Sequence, residues 1–267
     1  MALRVPYTAS MFRHQGPSRS ARQNTLLAAY LACVGGFVNS AGFVLVGSFT
    51  SHVTGNVGRL AGDLATSQLA AAGAAFTMVV AFFAGAFMAS LIVESRRFTR
   101  TPTAYGVALA CEAALLLCFG LVASAKLGVT PRLRDGQALL LCMAMGVQNS
   151  LVSRISGAVV RTTHLTGVVT DLGIETARWL AYWRRALRDE RTHGREPPVV
   201  TKIRLHLTIF VMFIVGSIAG CVLAMLWHAH VVWVPTGAVL AGSGYAFATA
   251  KDAPLRASLF PRAPHSE

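Results

Sequence analysis

Two polar segments stand out, Gly36-Phe37-Val38-Asn39-Ser40 and Ser51-His52-Val53-Thr54-Gly55, and both recur as Gly146-Val147-Gln148-Asn149-Ser150 and Thr163-His164-Leu165-Thr166-Gly167. Each copy adjoins a long apolar run, so glycine-containing polar backbone occurs where the interior of a bilayer is expected. Internal repeats with interrupted helices are typical of secondary transporters, where they form the binding site. The repeat therefore predicts both an architecture and the position of a site.

The composition is that of an integral membrane protein. Of the 267 residues, 54% are hydrophobic and only 13% are charged, which is far from the balance of a soluble domain. Several apolar segments approach the ~20 residues that a helix needs to cross a bilayer. We therefore predict an all-α, polytopic fold of about six transmembrane helices. The six segments are 25–49, 69–93, 104–125, 137–152, 206–227 and 231–249.

The net charge of +13 reports topology rather than nucleic-acid binding. The basic residues cluster between the apolar segments, as the positive-inside rule predicts, and no nucleic-acid-binding motif accompanies them. With the N-terminus inside, only four of the 24 lysines and arginines lie outside. They are Arg59, Lys126, Arg132 and Arg134. We therefore expect a multi-pass protein of the bacterial cytoplasmic (inner) membrane, in contact with lipid headgroups and with both termini cytoplasmic.

The duplication divides the transmembrane domain, 25–250, into repeats at about 25–125 and 137–250. Each repeat holds three crossings, an odd number, so the second enters the bilayer in the opposite sense and the repeat is inverted. A basic arm at 1–24, a basic linker at about 184–204 and a tail at 251–267 complete the chain and are predicted to be cytoplasmic. We expect the arm to be flexible.

The segments after each motif, 52–66 and 162–182, leave two topologies open. They either re-enter the membrane or lie at its surface, which gives six crossings, or they cross it, which gives eight. Eight crossings would place Arg96, Arg97 and Arg100 outside and weaken the charge bias, so we favour six. The glycines of the first apolar segment and the shortness of the fourth predict bent or interrupted helices there.

Polar side chains of the motifs suit a small polar or anionic solute. A broken segment can direct a histidine and a threonine into one cavity, and free amides at a half-helix N-terminus attract an anion. The predicted solute-binding residues are Asn39, Ser40, His52, Thr54, Gly55, Asn56, Asn149, Ser150, His164, Thr166 and Gly167. The alternative is that these residues only join helices by close packing and hydrogen bonds.

Two carboxylates are candidates for coupling transport to a cation or a proton. Glu112 lies within an apolar segment, where ionisable groups are costly and usually functional. Asp171 follows the second motif, with Glu175 as an unpaired neighbour on the same helical face. The alternatives are a basic partner for Glu112 and a solvated helix face for Asp171. Arg59 and Asp63 have the spacing of an ordinary intrahelical pair.

Catalytic and metal-binding signatures are not found. The five cysteines lie in apolar segments without a Cys-x-x-Cys pair, as small buried apolar residues do. His228 and His230 have no further ligands nearby in sequence, so we expect an exposed turn there. Known protease, hydrolase and phosphate-binding motifs are absent from the sequence. We predict no enzyme activity, no cofactor and no metal.

The motifs resemble those of a known family, the YoaK-like bacterial membrane proteins, also called the DUF1275 family. The resemblance spans about residues 25–250. It rests on Gly36-Phe37-Val38-Asn39, Ser51-His52-Val53-Thr54-Gly55-Asn56, Met145-Gly146-Val147-Gln148-Asn149, Val160-Arg161-Thr162-Thr163-His164-Leu165-Thr166-Gly167 and Thr170-Asp171-Leu172-Gly173. It implies a polytopic helical protein of similar size and brings no established activity.

Two functional hypotheses lead, and an intramembrane enzyme is a weaker third. The first is binding and gradient-driven transport of a small polar or anionic solute at the duplicated motifs. The second is a membrane scaffold or partner-binding protein whose polar motifs only pack helices. The sequence leaves a homo-oligomer open in both cases.

Overall fold

The computed structural model describes residues 11–12, 14–95, 97–98, 100–125, 131–186, 199–251 and 253. Within these residues the chain forms eight α-helices and no strand, which confirms the all-α fold. The helices are Ala21–Val46 (α1), Val53–Ala65 (α2), Leu69–Glu94 (α3), Thr101–Ser124 (α4), Pro131–Ser156 (α5), Leu165–Ala186 (α6), Val200–Trp227 (α7) and Trp233–Ala250 (α8). Short 3-10 segments occupy Gly16–Ser18 and His228–Val232.

The predicted apolar segments all fall in long helices. Five described stretches are long and apolar enough to cross a membrane, and the last of them, 200–250, contains both α7 and α8. The six membrane helices are therefore α1, α3, α4, α5, α7 and α8. We expected an interruption at the glycines of the first helix, but α1 is continuous over 26 residues. Its glycines serve close packing instead, as described below.

The described part of the N-terminal arm is packed rather than free. Phe12 is fully buried, and its ring centroid lies 6.0 Å from that of Tyr245 in α8. Arg19 donates hydrogen bonds to the carbonyl oxygens of Met11 and His14 and to Asn24 Oδ1. A capping box between Ser20 and Gln23 starts helix α1 at Ala21. Residues 1–10, most of the linker (187–198) and most of the tail (254–267) lie outside the described residues.

The helices pair as a two-fold duplication requires. Helix α1 packs mainly on α7 and α3 on α5, while α4 packs on α8, and α2 and α6 lie against α3 and α7. Exchanging α1–α4 for α5–α8 maps these pairs onto each other. Their closest approaches are duplicated too, at glycines where an added Cβ would overlap a facing carbonyl. The pairs are Gly36 with Phe213, Gly216 with Cys33, Gly146 with Phe82 and Gly85 with Met143.

The two repeats are inverted, because equivalent helices run antiparallel. At the contact of α1 with α5, Gln148 Nε2 donates to the Leu31 carbonyl oxygen at 2.6 Å, whereas Leu141 lies against Gly42. Helices α4 and α8 are antiparallel by the same kind of evidence. A two-fold axis that relates antiparallel helices lies perpendicular to them, in the plane of the membrane.

Neither α2 nor α6 crosses the membrane. Helix α3 runs parallel to α5 and α7 runs parallel to α1, while α1 and α5 are antiparallel. Helix α3 therefore runs antiparallel to α1, and α7 runs antiparallel to α5. If α2 or α6 crossed the membrane, the helices on either side of it would run parallel instead. The parallel contacts are Ser90 with Ser150 (2.8 Å), the Glu94–Arg154 ion pair, Ser217 Oγ with the Gly36 carbonyl oxygen (3.3 Å) and Cys221 Sγ with that of Ser40 (3.9 Å). Six crossings follow, and the eight-crossing alternative is excluded.

One end of the bundle carries most of the described positive charge. We call it the basic end, and define it as the end at which α1 and α7 begin and α3, α5 and α8 finish. Its arginines and lysines include Arg97, Arg100, Arg154, Lys202 and Lys251. The opposite end carries Arg59 and Arg134.

Candidate functional site

The chain re-enters the bundle after α1. It turns through Gly47, whose φ of 74° is left-handed and suits glycine. Ser51 then donates from its backbone N (3.1 Å) and its hydroxyl (2.9 Å) to Asn39 Oδ1, two turns back inside α1. Thr50 packs against Gly42. Helix α2 therefore begins within the bundle, with His52 as its N-cap.

The second repeat re-enters in the same way after α5. The turn contains Gly157 and Ala158, both at positive φ. Thr163 Oγ1 then donates to Asn149 Oδ1 at 2.6 Å, and the Thr163 methyl group packs against Gly35 of α1. The two re-entrant loops thus contact α1 at positions seven residues apart, about 10 Å along the helix axis. The predicted re-entrant segments are confirmed.

Both re-entrant helices direct their N-termini into the bundle. The first intrahelical amide bonds are those from Asn56 N to the His52 carbonyl oxygen and from Val168 N to that of His164. The preceding amides of each first turn have no partner within the helix. The helix dipole adds positive potential there, so each N-terminus favours a polar or anionic group.

The first-repeat terminus carries a stack of aromatic rings. His52 stacks on Phe49 at a centroid distance of 5.2 Å, and Phe49 stacks on Phe43 at 4.2 Å. His52 and Thr54 are exposed, whereas Asn56 is buried one turn further along. Phe43 and Phe49 are themselves exposed, so this terminus carries aromatic surface where the second repeat has a polar pocket.

The second-repeat terminus opens instead into a polar cavity of about 210 Å³ at the basic end. The cavity is lined by Ala158, Val159, Arg161, His164, Gly167, Val168, Asp171 and His206. At its floor, His206 Nδ1 lies 2.9 Å from Glu175 Oε2, and His206 Nε2 lies 3.9 Å from Asp171 Oδ2. Glu175 is buried, while the Asp171 side chain is 55% exposed. Cationic and anionic groups thus face one small volume, which we call the basic-end pocket.

The structure divides the predicted site residues among three roles. His164, Gly167 and Asp171 line the basic-end pocket. Asn39 and Asn149 use their side-chain oxygens to hold the re-entrant loops. The remaining predicted residues lie in helix contacts or in the first turns of α2 and α6. They are Ser40 and Ser150 at helix contacts, and His52, Thr54, Gly55, Asn56 and Thr166 in the first turns or at the N-cap. Their binding of a solute stays a prediction.

Two pocket residues, Arg161 and His206, were not among the predicted site residues. Arg161 lies three residues before His164, where the first repeat has Phe49, and alignment of the two repeats shows this difference. The role of His206 depends on the packing of α6 against α7, which no local pattern shows. We expected Glu175 to be unpaired, and this was wrong because His206 reaches it. The predicted Arg59–Asp63 pair is confirmed at 3.6 Å.

Glu112 lies apart from the pocket, fully buried in the middle of α4. His228 and His230 lie exposed in the turn before α8, as predicted.

Comparison with known proteins gives a family and no activity. The family described as "Protein of unknown function (DUF1275)" matches residues 27–245. The chain is similar to the UPF0700 transmembrane protein YoaK of Bacillus subtilis (strain 168), with 25% identity over 217 residues. This match covers 81% of the chain and 90% of the relative. No solved structure matches the chain.

Proposed function

The chain belongs to the DUF1275 family of transmembrane proteins, and we propose that it binds a small polar or anionic solute and transports it across the bacterial cytoplasmic membrane. One observation carries this proposal. Two re-entrant helices, related by an inverted repeat, direct their N-termini into the bundle from opposite ends. Inverted repeats with half-helix termini near the midplane are the arrangement on which alternating access depends in many secondary transporters.

The basic-end pocket gives the solute its chemistry. Arg161, His164 and the first-turn amides of α6 offer hydrogen-bond donors to an anionic group. Asp171 and the His206–Glu175 pair offer acceptors or a proton on the facing side. At about 210 Å³ the cavity is smaller than the roughly 300–1,000 Å³ of drug-sized sites. The solute is therefore small, and it carries an anionic or strongly polar group.

Orientation follows from charge. The positive-inside rule places the basic end in the cytoplasm, and the basic-end pocket then opens towards the cytoplasm. We place transport ahead of catalysis because the motifs of known hydrolases and phosphate-binding enzymes are absent from the sequence.

The test is ligand-dependent thermal stabilisation of the purified protein in detergent. The panel contains inorganic phosphate, sulfate, small mono- and dicarboxylates and amino acids. A solute present at 100 times its dissociation constant stabilises the folded state by about 2.7 kcal/mol. We expect Arg161→Gln and His164→Gln to lose this stabilisation. Arg59, which occupies the position of Asp171 in the first repeat, is the control, and Arg59→Gln should keep it.

A different observation supports the scaffold hypothesis. The side chains of Asn39, Asn149 and Ser150 form hydrogen bonds within the protein. The scaffold hypothesis predicts that no solute of the panel stabilises a well-folded preparation. That result, obtained with folded protein, would contradict the transport proposal.

A further inference from the structure

Glu112 is a fully buried acid without a partner. It lies halfway along α4, and within the described residues neither carboxyl oxygen accepts or donates a hydrogen bond. Other buried or membrane-end acids differ, since Glu94 pairs with Arg154 and Glu175 pairs with His206. Glu112 is not part of the proposed solute site. Because ionisable residues within membrane helices are usually functional, we expect it to have a different role.

No cation in the described residues reaches this carboxyl group. Tyr30 of α1 lies within electrostatic reach of Glu112, but its hydroxyl donates to the Ala238 carbonyl oxygen at 2.8 Å. Helix α8 has no charged residue along its length, and in α3 the charge is confined to Glu94 at the end. Around α4 the titratable groups away from helix ends are Tyr30 and Cys33 (α1), Tyr105, Cys111 and Cys118 (α4), Cys142 (α5) and Tyr245 (α8), with Arg19 beside Tyr105. The charged groups of the packing helices α3 and α5 lie in their end turns, at Glu94, Arg134, Asp135 and Arg154, and His228 and His230 are exposed at the far turn.

The ligand that these surroundings accept is a proton. An ionised carboxylate buried without a counter-charge is very unfavourable. A metal ion would need several oxygen ligands, and the described residues contain no group of three or more His, Cys, Asp or Glu side chains placed to hold one. A protonated, uncharged Glu112 is compatible with these apolar surroundings, although its carboxyl oxygens have no hydrogen-bond partner among the described residues.

The face of α4 that carries Glu112 is polar in one direction only. Tyr105 lies two turns towards the basic end, next to the buried Arg19. Towards the opposite end the same face carries Leu116 and Phe119, both fully buried. On this face of α4 the nearest polar groups to Glu112 therefore lie towards the basic end, beyond the fully buried Ala108 and Leu109.

From this geometry we propose that Glu112 is a proton-binding site that exchanges with the solution at the basic end and is separate from the solute pocket. The inference rests on the proposed transport function, for which it names the proton as the coupling ion. Its test needs no solute, so it can fail or succeed independently of solute binding.

The first experiment is labelling of the full-length protein in detergent with an apolar carbodiimide. The reagent adds to a protonated carboxyl group in apolar surroundings and leaves an N-acylurea that peptide mass spectrometry locates. We expect the adduct on Glu112, its loss in Glu112→Gln and its persistence in Glu175→Gln, the matched buried glutamate with a partner. An unlabelled Glu112 in folded wild-type protein, with labelling after unfolding, would overturn the proposal.

The second experiment is infrared spectroscopy in H₂O and D₂O. We expect a carboxylic-acid carbonyl band that is absent from Glu112→Gln, present in Glu175→Gln and shifted after exchange into D₂O. A band that never shifts would show an acid closed to solution and would refute exchange. If Glu112→Gln does not fold, the carbodiimide adduct located on Glu112 of the wild-type protein tests the proposal by itself.

Discussion

At the scale of single residues, four glycines set the distance between the paired helices. Gly36 and Gly216 face the carbonyls of Phe213 and Cys33, and the second repeat reproduces the arrangement with the same spacing. Close approach through small residues is how membrane helices gain packing energy without a hydrophobic driving force between them. The glycine of the Gly-x-x-Asn motif is therefore explained by helix contact.

This account predicts different outcomes for the same substitution at two sites of α3. Gly85→Ala should destabilise the protein by about 1–3 kcal/mol, because the new methyl group overlaps the Met143 carbonyl of α5. Gly73→Ala meets open space and should be neutral or stabilising by up to about 1 kcal/mol. Thermal unfolding in detergent measures both, and equal effects would contradict the packing.

The two motif asparagines act as clamps on the re-entrant loops. Asn149→Ala and Thr163→Val should each destabilise the fold, and a double-mutant cycle should show a coupling energy of about 0.5–3 kcal/mol, since the pair shares a 2.6 Å hydrogen bond. Asn149→Ala combined with Thr170→Val should be additive, because Thr170 bonds instead within α6. Additivity of the first pair, measured by the same unfolding assay, would refute the clamp.

At the scale of elements, the sequence predicted which segments cross but not where helices end. The short apolar segment 137–152, flanked by Arg134, Asp135 and Arg154, predicts a bent or interrupted helix, and this is wrong because α5 is one helix of 26 residues. Helix α5 extends through these charges, since Arg154 pairs with Glu94 of α3. A segment predicted from hydropathy ends at the first charged residue, whereas a helix continues as long as its backbone groups and charged side chains are hydrogen-bonded or paired. The Glu175–His206 contact was missed for the same reason, because it depends on tertiary packing.

Six crossings with the basic end inside give a definite labelling pattern. In a background without native cysteines, cysteines at Phe98 and Ala158 should react only with membrane-permeant reagents in intact cells. Cysteines at Gln68 and His230 should also react with impermeant ones. An eight-crossing chain would place Phe98 outside, so impermeant labelling there would contradict both the topology and the inversion.

At the scale of the whole molecule, the two repeats share a backbone plan but differ at their re-entrant termini. The basic-end pocket exposes Arg161, His164 and Asp171, whereas the other terminus carries the aromatic stack of Phe43, Phe49 and His52. In the proposed transport cycle, the structure represents the state whose pocket opens at the basic end. An inverted repeat supplies the second state by exchanging the two conformations.

Weakening the aromatic stack should therefore favour the state open at the far end. The stacking of Phe49 contributes about 0.5–1.5 kcal/mol beyond its burial, so Phe49→Ala should raise the minor population roughly two- to tenfold. A cysteine at Asn56, buried on α2, should react faster with a water-soluble thiol reagent by that factor. The matched control is Phe87→Ala, which removes an exposed ring stacked only on Phe83 in the described residues and should leave the rate unchanged. An unaltered rate in Phe49→Ala, or an equal rise in Phe87→Ala, would show that the stack does not close the site and that the second state is not its mirror image.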